Sequence, residues 1–233
     1  MIGIIGALEI EIEGINALLA DKKEYRLFGI TFVSGKLAGK QCVTCICEVG
    51  KVNAAMSTTL MIKEFSPSLI INTGVAGALQ KGIDIGDIVI GIDVVQHDFD
   101  ITASGNHPLG AVEVGDELVV RFPSDAAATR ILQDVAERLS EDSQVFPGTI
   151  ATGDQFINGK ESRHMIANEF GAFACEMEGG AIAQVCYRAK VPHVLLRSIS
   201  DNIEKDDFVD FKVFSKRAAE KNNAIIIGFL EAM

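Results

Sequence analysis

Short β-rich runs alternate with longer helical patterns along the whole chain, and this alternation limits the folds that it can adopt. The β-rich runs are MIGIIG, ITFVSG, CVTCICEVG, SLIINTG, DIVIGIDVV, the stretch to GTIATGD, GAFACEM and VPHVLLRSISD. Helical patterns lie near residues 8–20, 51–64, 125–140, 161–168, 178–189 and 212–231. The alternation predicts an α/β fold with a central mixed, mostly parallel sheet flanked by helices. A chain of 233 residues suits one domain over 1–233.

The sequence is apolar overall but has no segment typical of a membrane-spanning or secreted protein. Hydrophobic residues make up 48% of the chain and the mean hydropathy is +0.26. No apolar run approaches the ~20 residues that a membrane-spanning helix needs. The N-terminal run MIGIIGALEIEIE lacks the basic start of a secretory signal. We therefore expect the apolar residues to form a buried sheet in a cytoplasmic protein.

The net charge of -11 bears on the partners that the protein can bind. An acidic surface repels phosphate backbones and anionic lipids, so we expect neither nucleic acid nor a membrane as a partner. A small ligand that is uncharged or zwitterionic fits this charge better.

Five cysteines raise the question of disulfides or a metal site. Without a secretory signal, the thiols are expected to stay reduced. Cys42, Cys45 and Cys47 lie in QCVTCIC, a run typical of a buried strand, and no fourth ligand stands at a recognisable spacing. The H-D-F-D motif at 97–100 is an equally weak signal. We expect no metal and no cofactor.

Glu11 is a carboxylate on the apolar side of the first predicted helix. It falls inside the arc that Leu8 and Ile15 define on a helical wheel. A carboxylate there loses solvation, which raises its pKa and makes it a better proton acceptor near neutral pH. The alternative is a first-turn glutamate that interacts with the helix dipole, and Glu9 and Glu13 fit that alternative better.

A second glutamate, Glu178, lies on an apolar helix face, four residues before Ile182. On the same wheel Glu176 points the other way. Two such glutamates, each at the start of a helix beyond a strand, indicate a site, because unpaired buried carboxylates are costly. A buried structural salt bridge is the alternative interpretation.

The run VPHVLLRSISD places Arg197 and Asp201 on one strand face, four residues apart. In open α/β sheets ligands bind beyond the carboxyl ends of the strands, where Asp201 would lie. Asp201 with Asn202 also fits a simple turn. In GDQFING, Phe156 fits either the core or a stacking role, and the glycines of TGVAGAL allow a ligand to approach the backbone closely.

Seven motifs, read in order, carry a family resemblance over nearly the whole chain: GIIGALEIEIE, VGKVNAA, INTGVAGAL, GDIVIG, ATGDQFING, CEMEGGAIAQVC and RSISD. Together they resemble the 5′-methylthioadenosine/S-adenosylhomocysteine nucleosidases of the purine nucleoside phosphorylase superfamily. The resemblance implies a nucleoside phosphorylase-like fold and a homodimer. It also implies hydrolysis of the N-ribosidic bond of both nucleosides, and of 5′-deoxyadenosine, in methionine salvage.

The resemblance also implies a role for each matching residue. Glu11 would activate water and Asp201 would protonate the purine at N7. Glu178 and the Met177 backbone would hold the ribose hydroxyls. Phe156 would stack on adenine and the Ile157 backbone would meet its edge. Arg197 and Ser200 would line the water and base sides. The remaining contacts would be Val75, Ala76 and Gly77 beneath the ribose, Val49 in an apolar position and Phe208 as a lid.

Two departures from the family pattern bear on substrate choice. Many relatives carry serine where Val75 stands, and many carry an aromatic residue where this chain has Ser104. The alternatives are a purine nucleoside phosphorylase, an aminodeoxyfutalosine nucleosidase and a non-catalytic nucleoside sensor. A phosphorylase needs cationic groups for phosphate, which the N-terminal turn lacks. A sensor has no need for a water-activating carboxylate.

Overall fold

The computed structural model describes residues 1–202 and 211–233, without the side chains of 211–214. A short 3-10 helix spans Thr102–Ser104. The six predicted helices are all present, with ends within two residues of the predicted ones. They are α1 (Glu9–Leu18), α2 (Lys51–Phe65), α3 (Ala126–Leu139), α4 (Lys160–Phe170), α5 (Gly179–Ala189) and α6 (Phe211–Ala232).

The strands include several that the sequence did not reveal. β2 was missed because seven of its eight residues are exposed and show no apolar alternation. A small hairpin of β7 and β8 lies between residues 98 and 123, where the sequence shows no β-rich run. The strands are β1 (Ile2–Gly6), β2 (Ala20–Leu27), β3 (Ile30–Leu37), β4 (Lys40–Ile46), β5 (Leu69–Ala78), β6 (Ile88–Gln96), β7 (Val112–Val114), β8 (Glu117–Val119), β9 (Phe122–Pro123), β10 (Val145–Thr152), β11 (Ala172–Glu176) and β12 (His193–Asp201).

Ten strands form one sheet in the order β11-β10-β6-β12-β5-β1-β4-β3-β2, with β9 paired to β6. β11 also pairs with β5, so that β5, β11, β10, β6 and β12 form a closed ring. Five of the ten pairings are parallel. The sheet is therefore mixed, as predicted, but its parallel pairings are not the majority that the sequence suggested.

Helices cover both faces of the sheet because its central strands are buried on both sides. Every residue of β1 is buried, with Ile4 facing one helical layer and Ile5 the other. The first layer is made of α1, α3 and α6 and includes Ile15 and Phe229. The second layer is made of α2 and α5 and includes Ile182. The fold thus leaves the carboxyl ends of the strands as the place for a crevice.

A helix that crosses a bilayer must be both long and apolar. In residues 1–202 and 211–233, no helix has both the length and the apolar character needed to cross a membrane.

Candidate active site

A cavity of about 130 Å³ lies at the carboxyl ends of β1, β5, β11 and β12. This is the edge of the sheet at which α/β folds bind their ligands. Four carboxylates line it together with mostly apolar groups. The lining residues are Ala7, Leu8, Glu11, Val49, Val75, Ala76, Gly77, Gln155, Phe156, Ile157, Cys175, Glu176, Met177, Glu178, Ser200 and Asp201.

Glu11 is held at the end of β1 by three backbone amides. The N–H groups of Ala7 and Leu8 donate to its Oε2 at 2.8 and 2.9 Å, and the Val75 N–H donates to Oε1 at 3.2 Å. The side chain is only 6% exposed. Gly74 permits this approach, because a Cβ there would lie 2.8 Å from Oε1.

Burial dominates the proton affinity of Glu11. Loss of solvation raises its pKa above the ordinary 4.5, although the amide hydrogen bonds and the charge of Arg197 act in the opposite direction. A carboxylate with a raised pKa and a fixed orientation is suited to accept a proton near neutral pH.

Glu178 stands at the N-terminus of α5 and reaches across to the segment before α2. The Gly50 N–H donates to its Oε1 at 2.9 Å. Burial, with the negative charge of Glu176 as a second cause, raises the pKa of Glu178 from 4.5 to about 7. The protein therefore keeps this buried carboxylate poised to change its charge near neutral pH.

Glu176 was expected to point away from the apolar face, and the structure shows it buried in an ion pair. It is the last residue of β11, and its Oε2 lies 2.6 Å from Nη2 of Arg197. The backbone N–H groups of Glu178 and Gly179 donate to the same oxygen at 3.1 and 2.7 Å, and the Thr152 hydroxyl donates to Oε1. A buried structural salt bridge was the alternative interpretation for Glu178, and the structure shows such a bridge between Glu176 and Arg197.

Arg197, which was expected on the water side, is not among the residues that line the cavity. It pairs with Gly74 whereas Asp201 pairs with Gly77, so it lies roughly 10 Å deeper at ~3.3 Å per residue of β5. Its side chain is 1% exposed and donates to the backbone and side-chain oxygens of Asn72 as well as to Glu176. The positive charge of Arg197 beneath the pocket favours the ionised forms of Glu11 and Glu178.

A bulge in β12 brings two consecutive side chains to the pocket. Ile199 pairs with Ala76 and Asp201 pairs with Gly77, which leaves Ser200 as an extra residue in the strand. Bulges redirect side chains and are frequent next to active sites. The Ser200 hydroxyl lies 2.7 Å from Oδ1 of Asp201 and 3.2 Å from the carbonyl oxygen of Ala76.

The segment with Phe156 and Ile157 is fixed to the body of the fold through charged contacts. Lys51 donates to Oδ1 of Asp98 at 2.7 Å, and the Asp154 N–H donates to Oδ2 of the same carboxylate at 2.8 Å. The Lys51 N–H donates to Asp154 at 2.8 Å in return. The acidic motif at 97–100 therefore serves to hold this segment. Phe156 is 75% exposed and lies at the mouth of the pocket.

Comparison with known proteins identifies the family. A model of the phosphorylase superfamily matches residues 1–231. A 5′-methylthioadenosine/S-adenosylhomocysteine nucleosidase of Shewanella loihica is 39% identical over 234 aligned positions, which cover 99% of this chain and 98% of the relative. The chain belongs to this nucleosidase family. The resemblance seen in the sequence motifs is confirmed.

Solved structures of related proteins confirm the nucleosidase fold. The crystal structure of the nucleosidase from Neisseria meningitidis, in complex with methylthio-immucillin-A, has a TM-score of 0.91 at 35% identity and covers 100% of this chain and 99% of that chain. Futalosine hydrolase of Helicobacter pylori has a TM-score of 0.90 at 33% identity and covers 100% of this chain and 97% of that one.

Most of the residues that the nucleosidase resemblance suggests as a site come together. Phe208 lies outside the described residues, and Arg197 lies beneath the pocket. Sequence reasoning did not find Gln155, Cys175, Ala7, Leu8 or the buried Glu176 as lining residues. The residues brought together are Glu11, Val49, Val75, Ala76, Gly77, Phe156, Ile157, Met177, Glu178, Ser200 and Asp201.

Proposed function

We propose that the protein hydrolyses the N-ribosidic bond of 5′-methylthioadenosine and S-adenosylhomocysteine, with 5′-deoxyadenosine as a further substrate. The products are adenine and the 5-thioribose compound, or its 5-deoxy counterpart. One observation carries this proposal: Glu11, Glu178 and Asp201, from distant parts of the chain, line one pocket. The nucleosidase family of the chain supports the same conclusion.

The spacing of Glu11 and Asp201 along β5 supports a division of labour between them. Glu11 accepts the Val75 N–H, while Oδ2 of Asp201 lies 3.0 Å from where a Cβ on Gly77 would stand. Two residues of strand separate these points, about 7 Å at ~3.3 Å per residue. That offset leaves room for a sugar with a water molecule on one side and a base on the other.

In the proposed reaction, protonated Asp201 gives its proton to N7 of adenine while the bond between C1′ and N9 breaks. The base then departs as a neutral molecule and leaves an oxocarbenium-like sugar. Glu11 takes a proton from water as the water oxygen forms its bond to C1′. Each of these positioned proton transfers is typically worth about 10²–10⁴ in rate.

Glu178, with the Met177 backbone, is proposed to hold the 2′ and 3′ hydroxyls of the ribose. An anionic carboxylate accepts two hydroxyl hydrogen bonds and also stabilises positive charge that grows on the sugar. Phe156 and Ile157 are proposed to bind adenine, and Ser200 is proposed to line the base side. Val75, Ala76 and Gly77 would pass beneath the ribose, and Val49 would contact the apolar side of the ribose. The proposal needs no cofactor.

Nucleoside binding should strengthen as pH rises through about 7, because that is where Glu178 ionises. Below this pH the carboxyl is protonated and is a weaker acceptor for the ribose hydroxyls. Calorimetric titration of a Glu11→Gln variant with 5′-methylthioadenosine measures the affinity at each pH. In this variant the nucleoside is not turned over and residue 11 carries no ionisable group. The Glu11→Gln/Glu178→Gln double variant should bind weakly at all pH values. Equal affinity of the single variant at pH 6 and 8 would contradict the role.

A phosphorylase is disfavoured by the charge of the pocket. A phosphate co-substrate needs cationic donors, and within residues 1–202 and 211–233 no lysine, arginine or histidine lines the cavity. An aminodeoxyfutalosine nucleosidase is the second candidate. Futalosine hydrolase of Helicobacter pylori has nearly the same structural similarity as the nucleosidases, which favours this candidate over a sensor.

The deciding experiment measures free adenine from each nucleoside in phosphate-free buffer. We expect release from 5′-methylthioadenosine and S-adenosylhomocysteine, with no consumption of phosphate when it is added. A sugar 1-phosphate product would establish a phosphorylase instead. Cleavage of aminodeoxyfutalosine alone would select the second candidate, and binding without release of any base would indicate a sensor.

We further propose that the protein is a homodimer whose partner helps to close the 5′ side of the pocket. Large apolar side chains are exposed on α2, the helix that begins two residues after the pocket residue Val49, including Val52 at 79% and Met56. Light scattering should give twice the mass of the chain, and Val52→Asp should shift the population toward the monomer. A wild-type monomer would contradict the proposal.

We also propose a single domain over 1–233 that works in the cytoplasm, in methionine salvage. The five cysteines are free and buried, which suits a reducing compartment. One cooperative unfolding transition in calorimetry would agree with a single domain, whereas two separate transitions would contradict it. Cell fractionation tests the location.

A further inference from the structure

Arg163 is a buried cation beside the pocket that neither the motifs nor the proposed reaction uses. It lies on α4 and is 4% exposed. Its Nη2 donates to Oδ2 of Asp201, and its Nε and Nη2 lie 3.3 and 3.1 Å from the carbonyl oxygen of Ile157. One guanidinium therefore contacts both the proposed acid and the segment proposed to bind the base.

We propose that Arg163 is a positioning residue that holds the carboxyl of Asp201 in place for proton transfer to the purine. The inference rests on the proposed nucleosidase function and adds to it a residue outside the pocket lining. Arg163 touches no substrate in this scheme and acts through Asp201, with the Ile157 carbonyl as the anchor of its guanidinium.

The geometry explains why an arginine is suited to this task. Its donors lie in a rigid plane, so a guanidinium anchored on the Ile157 carbonyl fixes where its remaining N–H groups point. The carboxyl of Asp201 is 34% exposed and stands at the end of β12. Ser200 holds Oδ1 and Arg163 holds Oδ2, so both oxygens of the carboxyl are fixed.

The contact with Arg163 leaves Asp201 able to act on the purine. Each carboxylate oxygen has more than one acceptor direction, so contact with the guanidinium does not prevent Asp201 from reaching the base. Deep burial of an arginine is costly unless its partners compensate, and here the partners are groups at the pocket.

The test compares Arg163→Met, Arg163→Lys and the control Arg130→Met, which removes an exposed arginine from α3. kcat and KM are measured for adenine release from 5′-methylthioadenosine. We expect kcat of Arg163→Met to fall roughly 10²-fold, as a 1 Å misplacement can cause. Arg163→Lys keeps a charged donor but not the planar fork, so it should recover part of kcat. The control should behave as wild type.

A double variant separates positioning from a general structural role. If Arg163 acts through Asp201, Arg163→Met should reduce kcat no further in an Asp201→Asn background. A multiplied loss would overturn the inference, as would an unchanged kcat in folded Arg163→Met. If Arg163→Met does not fold, an unchanged, wild-type kcat in Arg163→Lys would overturn it instead. Wild-type protein that releases no adenine would overturn the proposed function and this inference together. Active wild-type protein whose Arg163 variants depart from these expectations would overturn only the inference.

Discussion

Replacing Glu11 by glutamine should reduce adenine release by roughly 10²–10⁴-fold while nucleoside binding survives. Glutamine keeps the shape of the side chain but cannot take a proton from water at neutral pH. Its carbonyl oxygen can still accept from the amides of Ala7 and Leu8, which donate to Oε2 in the native chain. Single-turnover measurement of adenine gives the rate, and calorimetric titration gives the affinity.

The first helix offers a matched control for this substitution. Glu13→Gln makes the same chemical change on α1 at an exposed position and should leave turnover unchanged. In Glu11→Gln the new amide NH₂ group meets the Val75 N–H where Oε1 stood, so a modest loss of affinity is expected from two donors facing each other. Turnover near the wild-type rate in Glu11→Gln would remove this residue from the role of base.

The periodicity of apolar residues predicted the helices but missed the exposed strand β2, and both outcomes have one physical reason. Burial on one face leaves a repeat in the sequence, as it does in α1, where Ile12 and Ile15 are buried. β2 carries the sequence ADKKEYRL and is held at the sheet edge by backbone pairing with β3. Backbone hydrogen bonds leave no trace in side-chain type, so such a strand is hard to see in a single sequence.

The site was only partly predictable from the sequence, and the two misses have different causes. Glu11 and Glu178 were predicted as site residues because a carboxylate on an apolar helix face is costly to bury without a partner. Glu176 was misplaced because a helical wheel was extended into the end of a strand, where successive side chains alternate between the two faces of the sheet. Arg163 gave no signal, since its contact with Asp201 depends on how α4 packs against β10 and β11.

Arg197 shows how a residue can matter to the site without lining it. Its pairing with Glu176 places a cation beneath the pocket, and this charge counters the repulsion among the neighbouring carboxylates. Removing one partner of such a buried pair typically costs about 3–5 kcal/mol. Glu11 and Glu178 remain at the pocket surface, where negative potential favours the positive charge that develops on a sugar during bond cleavage.

Replacing Asp201 by asparagine should reduce adenine release by roughly 10²–10⁴-fold, because adenine then departs without a proton from the enzyme. Asparagine keeps the size of the side chain and can still accept the Ser200 hydroxyl at the position of Oδ1. Affinity for the nucleoside should therefore change less than kcat. The measurement is kcat and KM for 5′-methylthioadenosine, with exposed Asp116→Asn as the matched control.

A change of leaving group shows where Asp201 acts. A 4-nitrophenyl 5-methylthioriboside releases a phenolate that is stable without protonation, so its cleavage should be nearly the same in Asp201→Asn and wild-type protein. Glu11→Gln should lose activity on both substrates, because water must attack the sugar in either case. Undiminished adenine release by Asp201→Asn would exclude this carboxyl as the acid, and an equal loss on both substrates would assign it to a step other than departure of the base.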